Sequence, residues 1–338
     1  MKNHKLKVIA LLLCTALIIT QTACGEKQME PVSDTGFYLN TSCTISIYDK
    51  STDEAKDLIS KSFALCEEYE GILSKTIEGS DIYKINHAKG EPVEVQEETL
   101  EVIKKSIDYG ALSEGKFDIT VGKLSGLWNF TGENPRVPAA ADIDTAKATI
   151  DYRQINIEDN KVSLDNPETE LDLGGIAKGY IADKVSEYLV GQGVESAIVN
   201  LGGNIVAIGE KTSGDAWNIG IEKPYSDRSD IVGSVKVKNK TVVTSGIYER
   251  YFEQDGINYH HILDVKTGYP AQTDVEAVSI VGDFGKSADC DALTTICLIL
   301  GVEKGMALVE SLDGIEASFV DTNGEVHYTS GMEFIPVE

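Results

Sequence analysis

Asp172-Leu-Gly-Gly-Ile-Ala-Lys-Gly-Tyr180 decides how this chain is read. An acid at the end of an expected strand is followed by two glycines. Then Ala177, Ile181, Val185 and Leu189 recur at helical spacing, which predicts a helix stopping near Gly191 to Gly193. The glycines let backbone amides or carbonyls face inward, and Lys178 falls in the first helical turn. Such a turn either cradles a pyrophosphate or serves only as a tight strand–helix connection.

Working outward, the stretch from Ser196 to Gly282 reads mostly as strands, with a second glycine-rich turn at Asn200-Leu-Gly-Gly-Asn204. Its last strand signal runs through Tyr259 to Val265. Two helices follow, about Asp289–Leu300 and Glu303–Leu312, and a closing hairpin turns at Asn323-Gly324. Upstream, Cys43, Ile45 and Ile47 alternate with polar residues as a half-buried strand. Ala55 to Tyr69 and Glu97 to Ser113 have the spacing of amphipathic helices. Asn156 to Leu164 predicts a hairpin turning near Asp159-Asn160. These elements make an α+β chain, a largely antiparallel sheet with packed helices. Neither a G-x-G-x-x-G nor a G-x-x-x-x-G-K-[ST] pattern is present, so dinucleotide and P-loop sites of those kinds are unsupported.

The start of the chain reads as an export signal. A basic Met-Lys-Asn-His-Lys-Leu-Lys precedes the apolar run Val8–Thr20, which is short for a membrane span. Residues 1–23 are expected to be a signal peptide, with Cys24 as the lipidated N-terminus and residues 24–36 as a tether to a domain spanning 37–338. That places the protein on the extracytoplasmic face of the cell membrane. Removing residues 1–23 takes away three lysines and no acids, so the body is more acidic than the formal −25 of the full 338-residue chain. Charge of that sign disfavours nucleic acid and anionic headgroups as direct partners. Cys43, Cys66, Cys290 and Cys297 show no C-x-x-C spacing. On one helix, Cys290 and Cys297 would be separated by about 10 Å of rise, too far for a disulfide. They read as small core hydrophobes.

Three constellations carry chemistry. Asp291 and Thr295, four apart on a helix, offer a carboxylate and a hydroxyl on one face to a hard cation, with Asp289 as a competitor for the ligand role. The Gly174-Gly175 turn offers backbone to a phosphate. Tyr259-His-His-Ile-Leu-Asp264 holds two of the five histidines, and on a strand only one of His260 and His261 faces a given site. A histidine is suited to deprotonate a hydroxyl nucleophile.

Taken in order, these segments resemble the ApbE family of flavin transferases. The residues that carry the resemblance are Asn40-Thr41, Gly115-Lys-Phe-Asp-Ile-Thr-Val121, Asp172 to Gly179 and Asn200-Leu-Gly-Gly203. Thr244-Ser-Gly-Ile-Tyr-Glu-Arg250, His260 to Asp264 with Thr267-Gly268, and Asp291-Ala-Leu-Thr-Thr295 continue it, so it spans about residues 37 to 335. The resemblance implies a single elaborate, T-fold-like domain that splits FAD at its pyrophosphate. FMN would pass to a threonine or serine hydroxyl of an acceptor protein, with AMP leaving. The implied acceptors are membrane redox-pump subunits carrying a Ser/Thr-Gly-Ala-Thr-like motif. Magnesium would be held by Asp291, Thr295 and the carbonyl of Gly175. FAD would be met by Lys116, Phe117, Asp118, Asp172, Lys178 and Ile262, with Leu39 standing where many relatives have methionine. His261 would be the base. The rival readings are an FAD pyrophosphatase on the same site and a flavin-binding lipoprotein without catalysis.

Overall fold

The computed structural model describes residues 30–226 and 230–337. Signal peptide and Cys24 lie outside the described residues. The domain opens with the hairpin β1 (Val32–Tyr38) and β2 (Thr41–Ile47), whose two-residue turn, Leu39-Asn40, has φ of 55° and 56°. Positive φ at both positions matches the right-handed twist of the strands. Holding a leucine there costs about 1–2 kcal/mol. Helix α1 (Thr52–Leu73) follows, then α2 (Asp81–His87), the short β3 (Val93–Glu94) and α3 (Glu97–Leu112). Helices α4 (Gly122–Trp128) and α5 (Ala140–Lys147) precede the hairpin β4 (Ile155–Glu158) and β5 (Lys161–Leu164). Helix α6 (Ala177–Gly191) leads into β6 (Ser196–Leu201), β7 (Asn204–Gly209) and β8 (Trp217–Glu222). Next come β9 (Ile231–Val237), β10 (Lys240–Gly246) and the hairpin β11 (Tyr251–Gln254) and β12 (Ile257–His260). The pair β13 (Leu263–Asp264) and β14 (Tyr269–Pro270) then leads to β15 (Val275–Asp283), α7 (Ser287–Leu300) and α8 (Val302–Glu310). Strands β16 (Glu316–Asp321), β17 (Val326–Tyr328) and β18 (Phe334–Pro336) close the chain.

The main sheet has eight strands in the order β1-β2-β6-β7-β10-β15-β16-β17, every neighbouring pair antiparallel. Helices α1, α6 and α7 cover one face around a continuous core of Ile45, Ile47, Val185, Val243, Ile280 and Ile296. The other face carries the three-stranded sheet β18-β9-β8, sealed by Trp217, Ile221, Val235, Val237 and Val281. The expected α+β class and antiparallel sheet are what the structure shows.

A third cluster sits beneath the β11–β12 hairpin. Trp128 of α4 lies 5.6 Å from the rings of Phe130 and Tyr259, and its Nε1–H donates to Gly268 O at 2.9 Å. This aromatic knot fixes the loop that carries the histidines. Cys43, Cys66, Cys290 and Cys297 are free and buried. Burial pushes Cys43 up to about 11 and both Cys66 and Cys297 up to about 12, in keeping with core packing and not reactivity.

Three expectations are corrected. The tether does not run to residue 36, because Val32 to Gly36 already pair with β2, through Cys43 to Ile47. Asp172 does not end a strand. The nearest ladder contact is a lone parallel bridge from Val121 to Glu170, and Asp172 lies in the coil just after it. The strand signal through Tyr259 to Val265 breaks after His260, which leaves His261 and Ile262 in a bend.

Candidate active site

Two helix starts meet and hold one another. Asp183 of α6 accepts from the backbone amides of Ser287 (2.9 Å) and Ala288 (3.0 Å) in the first turn of α7. Asp291 of α7 accepts in return from the Gly179 amide of α6 at 3.0 Å. Each carboxylate answers amides that a helix start leaves unpaired. Glycine at 179 is required by this approach, since a Cβ there would sit 2.3 Å from Ser287 O. Burial pushes the Asp183 carboxyl up to about 6, against the two amides that favour its charge.

Gly175, Asp291 and Thr295, the residues expected to ligate a cation, lie at the same crossing. Asp291 is buried, and its other oxygen, Oδ1, lies 3.6 Å from Lys178 Nζ. Gly175 faces Thr295: a Cβ at 175 would lie 3.5 Å from Thr295 Oγ1 and 3.1 Å from the Phe117 ring. Among the described residues Thr295 Oγ1 has no hydrogen-bond partner. A carboxylate, a hydroxyl and an adjacent backbone carbonyl are the hard oxygen ligands that magnesium accepts, with water and phosphate completing its shell. Asp289 is no competitor. Lys105 Nζ grips its two oxygens at 2.8 and 2.9 Å, and Tyr109 Oη donates to it at 2.7 Å, turning it toward α3.

The expected FAD contacts divide into two kinds. Phe117 is buried beside Gly175, and Lys178 points at Asp291, so both belong to this centre. Asp118 and Asp172 instead spend their carboxylates on the fold. Asp118 accepts from Thr120 N, Thr120 Oγ1 and Tyr152 N at 2.6–2.9 Å, and burial still raises its pKa. Asp172 accepts from Ser125 Oγ (2.6 Å) and Gly174 N (2.9 Å) and pairs with Lys75 at 2.7 Å. Burial opposes its charge, but Lys75 prevails and holds the carboxyl below the usual range. Asp172 therefore shapes the Gly174-Gly175 turn from within. Lys116 is partly exposed at the head of the loop. Ile262 is buried, with its carbonyl taken by Ala271 N at 2.9 Å. Leu39 donates its amide to Glu70 Oε2 at 3.1 Å and packs on the core from the strained turn. The Gly202-Gly203 turn joins β6 to β7, and what its backbone approaches is Thr41, whose Cγ2 and Oγ1 both lie 2.4 Å from where a Gly202 Cβ would be.

The histidines separate cleanly. His260 is buried, with Nε2 at 3.0 Å from Ala271 O, and burial pushes it down to about 4. His261 is only partly buried, and its Nδ1 lies 3.3 Å from Arg250 O. A carbonyl only accepts, so Nδ1 carries the proton and Nε2 keeps a free lone pair. Burial, then Arg250, His260 and Lys178, push His261 down to about 3, which leaves it neutral at pH 7. Arg250 in turn lines a cleft of about 490 Å³ with Phe37, Asn40, Phe130, Thr131, Glu249 and Tyr251. Glu249 and Arg250 were given no role from sequence alone, although the Thr244–Arg250 segment contains them. Segment position was the available signal.

Oxygen donors at paired helix starts, with Lys178 3.6 Å from Asp291, have the chemistry of a site for a phosphate-bearing ligand on an α+β scaffold. The ApbE family profile matches residues 39–319. A FAD:protein FMN transferase of Klebsiella pneumoniae is 39% identical over 293 residues, covering 85% of this chain and 90% of its own. The ApbE protein of Thermotoga maritima superposes with a TM-score of 0.82 at 33% identity, over 89% of this chain and 97% of its own. The flavin transferase ApbE of Vibrio cholerae gives 0.77 at 32% identity, over 89% and 97%. This chain belongs to the ApbE family.

Proposed function

We propose that this chain transfers FMN from FAD to a hydroxyl of an acceptor protein. The observation that carries the reading is the convergence of Gly175, Lys178, Asp291 and Thr295 at one crossing of two helix starts. The acceptor oxygen attacks the FMN phosphorus, the bond to the AMP phosphate breaks, and AMP leaves with the electron pair. His261 Nε2 takes the hydroxyl proton, while its Nδ1–H stays on the Arg250 carbonyl and keeps the ring oriented. Lys178 and Arg250 bring positive charge to the pyrophosphate, and the fixed helices supply in-line placement. Magnesium held by Asp291, Thr295 and the Gly175 carbonyl would neutralise charge on the phosphates.

The acceptor in this reading is a membrane redox-pump subunit presenting a Ser/Thr-Gly-Ala-Thr-like segment. The enzyme itself would be anchored outside the cytoplasm through a lipid on Cys24, a reading supported by the basic and apolar leader. Intact-mass measurement of membrane-extracted protein tests the anchor: an unlipidated N-terminus would sink it. For the chemistry, residues 25–338 are incubated with FAD, magnesium and an acceptor domain. In-gel flavin fluorescence and an FMN mass increment on the acceptor are expected. Both should be lost in Asp291→Ala and fall about 10²–10⁴-fold in His261→Ala. FMN and AMP released beside an unlabelled acceptor would make the protein a pyrophosphatase, and intact bound FAD would leave a binding protein.

A further inference from the structure

The free edge of β1 runs into the cleft. Tyr38 and Thr41 close a two-residue turn, so they exchange both backbone hydrogen bonds, and Gly36↔Cys43, Asp34↔Ile45 and Val32↔Ile47 repeat that pattern. Phe37, Thr35 and Ser33 therefore aim their N–H and C=O groups away from β2. Their side chains agree: Thr35 Oγ1 meets Thr44 Oγ1 at 2.9 Å, and Ser33 Oγ meets Ser46 Oγ at 2.8 Å. Such close approach marks non-hydrogen-bonded pairs. β1 is the terminal strand of the sheet, and among the described residues no strand pairs with its outer edge. Asp34 Oδ1 covers the Thr35 amide at 2.8 Å, but among the described residues no such side chain covers that of Phe37. Phe37 is 73% exposed and lines the cleft with Asn40 and Arg250. An open edge amide beside an open aromatic ring is a combination that soluble proteins otherwise suppress.

We propose that this edge docks the acceptor protein, an extended hydroxyl-bearing segment adding to β1 as a further strand. The proposal rests on the transferase reading. A hydroxyl that reaches His261 is carried by backbone, and that backbone must find hydrogen-bond partners when the cleft excludes water. Phe37 offers an amide and a carbonyl at a cleft that Arg250 also lines, and the Arg250 carbonyl lies 3.3 Å from His261 Nδ1. Alternate side chains of the added strand share the face of Phe37, so the segment presents its hydroxyl at every second position. A second copy of this chain paired along β1 would instead cover the rim and shut the acceptor out.

Phe37→Pro removes both the ring and the outward amide without touching the β1–β2 ladder, whereas Phe37→Ala removes only the ring. The expected result is an acceptor KM about 10-fold higher for Phe37→Pro than for Phe37→Ala, the loss of one backbone hydrogen bond in a dry site. Equal KM values would overturn the docking strand. Hydrogen exchange on the wild-type protein, with an acceptor domain whose hydroxyl residues are replaced by alanine, needs neither a variant nor turnover. Slowed exchange at the Phe37 amide supports the proposal and unchanged exchange refutes it. If wild-type protein labels no acceptor yet protects Phe37, the transferase reading fails while the docking strand stands. A dimer that Phe37→Pro dissociates, with unchanged acceptor KM, assigns the edge to self-association and overturns it.

Discussion

Where α6 meets α7, buried carboxylates are answered by backbone amides and lysines, while at the rim made by β1 and β11 large side chains stand open to water. Asp183, Asp289 and Asp291 each hold two or more groups within the inner half. At the rim, Phe37 is 73% exposed and Tyr251 48% exposed. The difference matches the two substrates. A pyrophosphate of fixed shape is met by preorganised donors, which gain from rigidity. A protein segment brings its own shape, and aromatic side chains on an open edge adapt to it at small entropic cost.

The contrast should break first at Gly179. Gly179→Ala drives a Cβ to within 2.3 Å of the Ser287 carbonyl, and a loss of about 3 kcal/mol in urea unfolding is expected, along with transfer activity. Gly191→Ala on the same helix meets nothing within 4 Å and should stay close to wild type, so equal losses would refute the close-approach account. Next in size is the cation. Magnesium at about 100 times its Kd should raise stability by about 2–3 kcal/mol in wild type and not in Asp291→Ala, read by thermal unfolding without FAD.

His260 gives a smaller, pH-dependent effect. Its folded value is about 4 and its ordinary value 6.5, so the unfolded chain takes up the proton first as pH falls. Stability from this residue is complete above pH 6.5 and declines toward pH 4. Between pH 7 and pH 5 the share from His260 should be about 1–2 kcal/mol, so the decline should shrink by that amount in His260→Gln while a comparable share from His261, pushed down to about 3, remains. Smallest is Tyr251→Ala at the rim. Its stability should stay within about 0.5 kcal/mol of wild type while acceptor KM rises severalfold, and a large loss of stability would erase the contrast between the halves.

Much of the inner half was legible in the sequence because its logic is local. Asp291 and Thr295 share a face through helical spacing, and the Gly-Gly turn announces the start of α6. Helices α1, α3, α6, α7 and α8 carry enough periodic apolar residues to be read. Helices α2, α4 and α5 are seven or eight residues long and too polar for periodicity to speak. The bracing was not legible, since its partners are distant: Lys105 reaches Asp289 across 184 positions, and Asp183 meets Ser287 across 104. Asp118 and Asp172 looked like ligand contacts because both lie in the family's motifs. What the sequence does not reveal is that their oxygens also hold the loops. The rim was missed because exposed Phe37 and Tyr251 have no periodic signature.

The mutual capping of α6 and α7 bears on the life of the chain before it is finished. Gly175 and Lys178 are synthesised more than a hundred residues ahead of Asp291 and Thr295. The amides of Gly179, Ser287 and Ala288 have their carboxylate partners only when both helices are in place. A nascent or truncated chain that ends before Asp291 thus lacks both the cation donors and the clasp that orients the glycine turn. Under the proposed function, such a chain would lack the parts needed to split FAD.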